Sequence, residues 1–236
     1  MRKTLFALLL VGLAMTGNAQ SPAPQAIVGQ EFFKAGGTPI LIPTPVNDMG
    51  EVGYDIRERM ELFVPPVNRL LAAFLTTRDI AQFSNGGVPP SLTRYALVQV
   101  PRQAEYIDVR PADFAQVVAG IQQQFSGPDA ELTAQAAEEE MTRRLKALNV
   151  DKAISLGKAV PLGTFFSKPD AFGFGIVSPV SVGNKTITLA MGGAAVRVKR
   201  RVLFLYLYSE YKGQTTVDWL RNAIEQWSGS LIAQNS

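Results

Sequence analysis

The stretch Val202-Leu203-Phe204-Leu205-Tyr206-Leu207-Tyr208-Ser209, followed shortly by the run Thr215 to Ala233, decides how this chain folds. Side chains alternate across a strand, so Leu203, Leu205 and Leu207 share one face while Phe204, Tyr206 and Tyr208 share the other. An unbroken apolar run of this length predicts a strand covered on both faces, with tyrosine hydroxyls reaching the rim. The alternative is that the leucines pack under helices and the aromatic face lines a groove for a ligand or partner. In the run that follows, Val217, Leu220, Ile224, Trp227 and Leu231 form one stripe at helical spacing, which predicts an amphipathic helix packed on the sheet. Thr215 with Asp218 three residues later reads as a capping box opening that helix.

Working back from this strand, the pattern from Lys152 onward is one of strands and turns. Candidate strands are Ala153 to Val160, Phe172 to Val177, Thr186 to Met191 and Ala195 to Val198. Gly163, Pro169, Pro179, Gly183-Asn184 and Gly192-Gly193 mark the expected joints of an antiparallel meander. Further upstream a helix is predicted from Asp129 to Leu148, with Leu132, Ala137, Met141, Leu145 and Leu148 on one side. Its Glu139–Arg143 and Glu140–Arg144 pairs have the favourable acid-before-base order and read as solvent-facing. A preceding helix starts at Pro111, where a missing N–H costs nothing, and points Phe114, Val117, Val118, Ile121 and Phe125 toward a core.

Tyr95 to Val100 is a strand stopped by Pro101. Asn68 to Phe83 reads either as one helix or as a strand followed by a short helix, and Thr76 and Thr77 at an N-cap position favour the second. Tyr54 to Leu62 is expected as a short helix, and Ile40-Leu41-Ile42, flanked by prolines, as one extended segment of an edge strand. Strands both precede and follow the helices, so the fold class is α+β, a largely antiparallel sheet covered by helices.

The chain begins with Arg2-Lys3, an apolar run from Leu5 to Met15 and the small-residue site Gly17-Asn18-Ala19, the layout of a secretory signal peptide. The expected organisation is a signal over 1–19, a Pro-rich flexible leader over 20–26 and a single α+β domain over 27–236. The expected location is the periplasm, with secretion as second choice. Beyond the signal no apolar run approaches the roughly 20 residues that span a bilayer. Removing Arg2 and Lys3 leaves the 23 basic and 20 acidic side chains of the whole chain almost balanced. Nucleic-acid binding is therefore not expected. The dense cluster Arg197-Val198-Lys199-Arg200-Arg201 reads first as a solvated hairpin end that keeps an apolar strand soluble, and second as a patch for an anionic partner.

With no cysteine and no histidine, disulfides, thiolate metal sites, Ser-His-Asp triads and imidazole shuttles are all excluded. What remains is carboxylate, Lys, Ser/Thr and Tyr chemistry. Ser155-Leu156-Gly157-Lys158 matches the Ser-x-x-Lys string of penicillin-binding proteins and serine β-lactamases, making Ser155 and Lys158 candidate catalytic residues. That chemistry needs a helix to put both on one face, whereas Gly157 and its neighbours favour a strand. The companion Ser-Asp-Asn string is absent, and Lys185-Thr186-Ile187 lacks the glycine of Lys-Thr-Gly.

Asp48, Glu51, Asp55, Glu58 and Glu61 form the densest acidic neighbourhood, as a glycosidase would need, but the interleaved Arg57 and Arg59 favour an ion-paired surface. The same acids lack the regular spacing of a calcium loop. Gly173-Phe174-Gly175 fits close backbone approach in a strand better than a phosphate loop, and Asn184-Lys185-Thr186 satisfies the glycosylation rule without a reason to be used. No cofactor and no metal is expected.

The order of elements, with its ending Val202 to Ser209 and Thr215 to Ala233, resembles the compact α/β sandwiches of the PsbP, Mog1 and DcrB type from Asn68 onward. That resemblance implies an assembly or binding protein and carries over no catalytic residue. The leading expectation is an exported, non-catalytic protein that binds an envelope protein or small ligand through a sheet face or edge loops. Its surface residues would be Phe204, Tyr206, Tyr208, Arg197, Lys199, Arg200 and Arg201. The second expectation is a His-independent hydrolase of an envelope polymer, using carboxylates or Ser155 with Lys158. The third is a small-ligand carrier using the Tyr206 and Tyr208 face.

Overall fold

The structure is a computed structural model and describes residues 32–61, 64–84, 94–126, 139, 143, 154–182 and 185–236. The signal over 1–19, the leader, the Gly183-Asn184 joint and most of the Asp129–Leu148 helix lie outside these residues. Glu139 and Arg143 of that helix are described, and both are helical.

The fold is α+β, an antiparallel sheet covered by helices. Its strands are β3 (Met49–Glu51), β4 (Asn68–Thr76), β5 (Arg94–Pro101), β6 (Ile154–Leu156), β7 (Val160–Lys168), β8 (Ala171–Val182), β9 (Lys185–Val198) and β10 (Arg201–Glu210). They are ordered β3-β4-β5-β10-β9-β8-β6, with β7 also paired to β8. A separate two-stranded ribbon, β1 (Phe32–Ala35) with β2 (Thr38–Leu41), lies outside that sheet. The helices are α1 (Tyr54–Glu61), α2 (Thr77–Ser84), α3 (Pro111–Ser126) and α4 (Gln214–Ala233).

Strand β10 sits between β5 and β9 and shows the predicted alternation. Leu203, Leu205 and Leu207 enter a core with Leu220, Ile224, Trp227 and Leu231 of α4. Phe204, Tyr206 and Tyr208 enter a second core with Met60 of α1 and Phe114 and Ile121 of α3, with Ile80 and Phe83 of α2 packed against it. Both faces are thus covered.

The segment Asn68–Phe83 is a strand followed by a helix, and the cap is visible: the Asp79 N–H donates to Thr76 Oγ1 at 3.1 Å. The edge-strand reading of Ile40 to Ile42 is corrected to a hairpin. Gly36 and Gly37, at φ 55° and 81°, turn β1 back onto β2 in the left-handed region that glycine enters freely. Ala153 to Val160 is corrected to two strands broken at 157–159.

The joint expected at Gly192-Gly193 is a strand interior, since β9 runs unbroken from Lys185 to Val198. These glycines provide space. A Cβ on Gly192 would lie 3.4 Å from Ile224 Cγ2 of α4, and one on Gly193 would lie 2.5 Å from Phe174 Cζ. The capping box is also corrected: the N-cap of α4 is Gly213 at φ 97°, two residues before Thr215, with no side-chain cap. Thr216 Oγ1 instead accepts from the Lys212 N–H at 3.0 Å.

The ribbon β1–β2 is fastened to the far end of α4. Trp227 Nε1 donates to the Pro43 carbonyl at 2.7 Å. Asn235 satisfies the backbone of Leu41, which is paired in register with Phe32 of β1: its Oδ1 accepts from the Leu41 N–H at 2.9 Å and its Nδ2 donates to the Leu41 carbonyl at 2.8 Å. This places the Gly36-Gly37 turn beside the loop that follows β5, where the candidate surface lies.

Candidate partner-binding surface

Three connections meet at one end of the molecule: the β1–β2 turn, the loop 102–110 between β5 and α3, and the β9–β10 turn. The last is a two-residue turn, because Val198 pairs with Arg201 and only Lys199 and Arg200 lie between them. Both have positive φ, 45° and 63°. Such a turn favours Asn-Gly, and placing two long side chains there costs roughly 1–2 kcal/mol per residue.

The basic cluster divides in two. Arg197 and Arg201 are largely covered and serve the fold: Arg197 Nε donates to Asp170 Oδ1 at 2.7 Å, and Arg201 Nε donates to Thr38 Oγ1 at 3.1 Å. Lys199 and Arg200 point outward. Lys199 Nζ reaches the Pro39 carbonyl at 3.1 Å, and the Arg200 guanidinium, 62% exposed, lies 3.0 Å from Asp108. Arg201 holds the other oxygen of the same carboxylate at 3.0 Å.

The loop 102–110 is pinned along its length. The Arg102 N–H donates to the Val67 carbonyl and the Val109 N–H to the Arg200 carbonyl, at 2.9 and 2.8 Å. Between them Glu105, only 6% exposed, is gripped by both Nε and Nη2 of Arg69 and accepts from the Gly36 N–H at 3.2 Å. These hydrogen bonds, Arg69's first, hold the Glu105 carboxyl below its ordinary value against the opposing effect of burial. At the loop's end Asp113 accepts from Arg110 Nε and from the Arg110 N–H, which lowers its carboxyl to about 2.

The consequence of this pinning is exposure. Tyr106 and Ile107 follow Glu105 directly and are 76% and 56% exposed, among the largest apolar exposures of the described residues. Neither was singled out from the sequence. A local signal was present, since an aromatic and a large aliphatic residue stand side by side in a mostly polar stretch between Pro101 and Pro111.

Next to this end a cleft of about 450 Å³ opens between β1, β4 and α1. Tyr54, Arg57, Glu58 and Glu61 fall at i, i+3, i+4 and i+7 and present one face of α1 to it. Two of the acids named from the sequence are therefore here, but Glu61 is paired with Arg102 at 3.5 Å and Arg57 lies over the Tyr54 ring at 5.8 Å. Asp48 stands elsewhere, paired with Arg94 at 2.7 Å. Among the described residues no cluster of acids gathers to hold a metal ion.

Phe204, Tyr206 and Tyr208 offer no surface, a correction to the groove expectation, because they are at most 3% exposed. Tyr95 stacks on Tyr208 at 4.4 Å, and Phe204, Tyr206 and Tyr208 follow one another at 6.4 Å. Burial raises the Tyr206 hydroxyl far above its ordinary value, and burial with the neighbouring Tyr95 and Tyr206 does the same for Tyr208. Ser155 stands on β6 opposite Ser181 and is exposed, and Lys158 lies in the break before β7. The helix that would align this pair is absent here, so the two are not presented on one face.

No protein-family model and no curated protein matches the chain. Among solved structures it is similar to a mutant form of the protein Mog1, with TM-score 0.33 and 14% identity over 88% of this chain and 95% of that one. It is similar also to the Saccharomyces cerevisiae Ran-binding protein Mog1p, with TM-score 0.31 and 12% identity over 85% and 89%. A third is cyanobacterial PsbP from Synechocystis, with TM-score 0.35 and 13% identity over 91% and 98%. Mog1 and PsbP are names from the group that the order of elements resembles. No described helix is long and apolar enough to cross a membrane.

Proposed function

We propose that this is an exported, non-catalytic protein that binds a component of the cell envelope through the loop end formed by 102–110 and the β9–β10 turn. One observation carries the reading: Tyr106 and Ile107 are held outward by a fully anchored loop, beside the exposed Arg200. Apolar side chains fixed in solvent next to cations gain free energy only when something covers them. The signal-like segment over 1–19 supports export, and the periplasm is the compartment it favours.

The test is a pull-down from a bacterial envelope fraction. Wild type is compared with a variant carrying Tyr106→Ser and Ile107→Ser and with one carrying Lys199→Gln and Arg200→Gln. Capture lost in both variants, with unchanged melting temperature, is the expected result. Capture equal in all three, or turnover of an envelope polymer by purified protein, would falsify the binding role.

A further inference from the structure

Building on the binding role just described, we infer that what this end meets is an anionic lipid surface. Three features point there. Tyr106 and Ile107 form an aromatic–aliphatic tip, the pairing that settles at a headgroup boundary, where a ring with a polar end is favoured. The tip cannot retract, because Glu105 before it is fixed by Arg69 and Gly36, while Asp108 and Val109 after it are fixed by Arg200 and Arg201. A Cβ on Gly36 would already lie 3.0 Å from Tyr106 Cα, so the ribbon closes the space behind the loop.

Charge is the third feature. Arg69, Arg102, Arg110, Lys199, Arg200 and Arg201 stand in or against this loop end, with Glu61, Glu105, Asp108 and Asp113 as the acids they pair with or lie beside. The chain as a whole is nearly balanced without the signal over 1–19, so this local excess is a separation of charge, and it aims the tip at a negative plane. Asp108, next to Ile107, has its charge offset by two guanidinium groups. The β9–β10 turn strengthens the argument, since it keeps Lys and Arg where Asn and Gly would be less strained. A single small apolar tip with a cationic ring gives reversible, salt-sensitive attachment.

The decisive experiment is co-sedimentation of the chain from Gln20 to Ser236 with vesicles of phosphatidylcholine alone and of an equal mixture with phosphatidylglycerol. Binding to the mixed vesicles, at least about tenfold weaker to the neutral ones and falling as salt rises, is expected. The double variant Lys199→Asn, Arg200→Gly should bind the mixed vesicles roughly thirtyfold more weakly, at about tenfold for each 1.4 kcal/mol of surface attraction lost. The same variant should melt higher, because its turn is relaxed, so lost binding cannot be blamed on lost folding. Tyr106→Ser with Ile107→Ser should weaken binding at unchanged melting temperature.

Equal binding to both vesicle types, absence of binding, or indifference to either variant overturns the lipid inference. If vesicles are ignored while a purified envelope protein binds and is lost in the same variants, the lipid inference falls and the binding role stands. If neither vesicles nor envelope fraction responds to the variants, both fall.

Discussion

The two faces of the central sheet reach the same dryness by opposite means. Beneath α4 the sheet is a shallow trough of small residues, Ala190, Gly192 and Ala194 on β9 with Ala96 on β5, and one 20-residue helix lies directly on it. The opposite face carries Phe172, Phe174, Phe204, Tyr206 and Tyr208, and among the described residues its cover is assembled from three separate helices, α1, α2 and α3. A continuous helix can approach closely only where side chains are short. Short helices arriving from distant parts of the chain leave wider gaps, which large rings fill. One face is therefore intolerant of enlargement and the other of truncation and ionisation.

The largest effect is expected where α4 itself carries a large buried ring into the trough face, so that truncation opens a cavity there as well. Trp227 packs edge-on to Phe74 at 5.9 Å and donates to the Pro43 carbonyl. Trp227→Ala should cost about 3–5 kcal/mol in urea unfolding and free the β1–β2 ribbon, seen as early hydrogen exchange at the Leu41 N–H.

The aromatic face should fail first in base. Tyr206 and Tyr208 have hydroxyls raised above the ordinary value of 10.0, so they stay protonated while folded. Their stabilising contribution is complete below pH 10 and lost above it, as the unfolded state releases protons that the folded state keeps. Each phenol then costs about 1.4 kcal/mol per pH unit. Tyrosinate absorbance for these two should appear together with unfolding, and an earlier, separate titration would contradict their burial.

Gly192→Val tests the trough from the other direction. The added side chain meets Ile224 and the Leu220 carbonyl of α4, for an expected loss of about 1–3 kcal/mol measured by thermal melting. An unchanged melting temperature would show that α4 has room to move.

The smallest effect belongs to neither face. Glu105→Gln removes the charge that holds loop 102–110, and with Arg69 about a third exposed the loss should be about 1–2 kcal/mol at neutral pH. Glu105 is lowered from 4.5, so its contribution is present above that pH and declines as pH falls through the lowered value. The variant should accordingly lose less stability than wild type on acidification below pH 4.5.

Periodic features were readable from sequence alone. The alternation from Leu203 to Tyr208, the α4 stripe, the helix start at Pro111 and the Thr76 cap all depend on neighbours within a few residues, and each is found where the sequence placed it. Glycine positions were not readable in this way. Gly192-Gly193 reads locally as a joint, and only the helix and ring packed on either side turn it into a strand interior. The candidate surface was half legible. The cluster Arg197 to Arg201 stands out by composition, but which cations face outward depends on Asp170, Asp108 and Thr38, all remote in sequence. Tyr106 and Ile107 lie in a loop, where no period exists to mark them.

Local order therefore settled which segments are strand or helix, and the absence of histidine and cysteine settled which chemistry is closed to the chain. Tertiary structure alone decided what each side chain is exposed to. It buried Tyr206 and Tyr208 beneath helices and held Tyr106 and Ile107 in solvent. The reason is that burial and ion pairing are made between residues far apart in the chain, and no window of neighbours contains both partners.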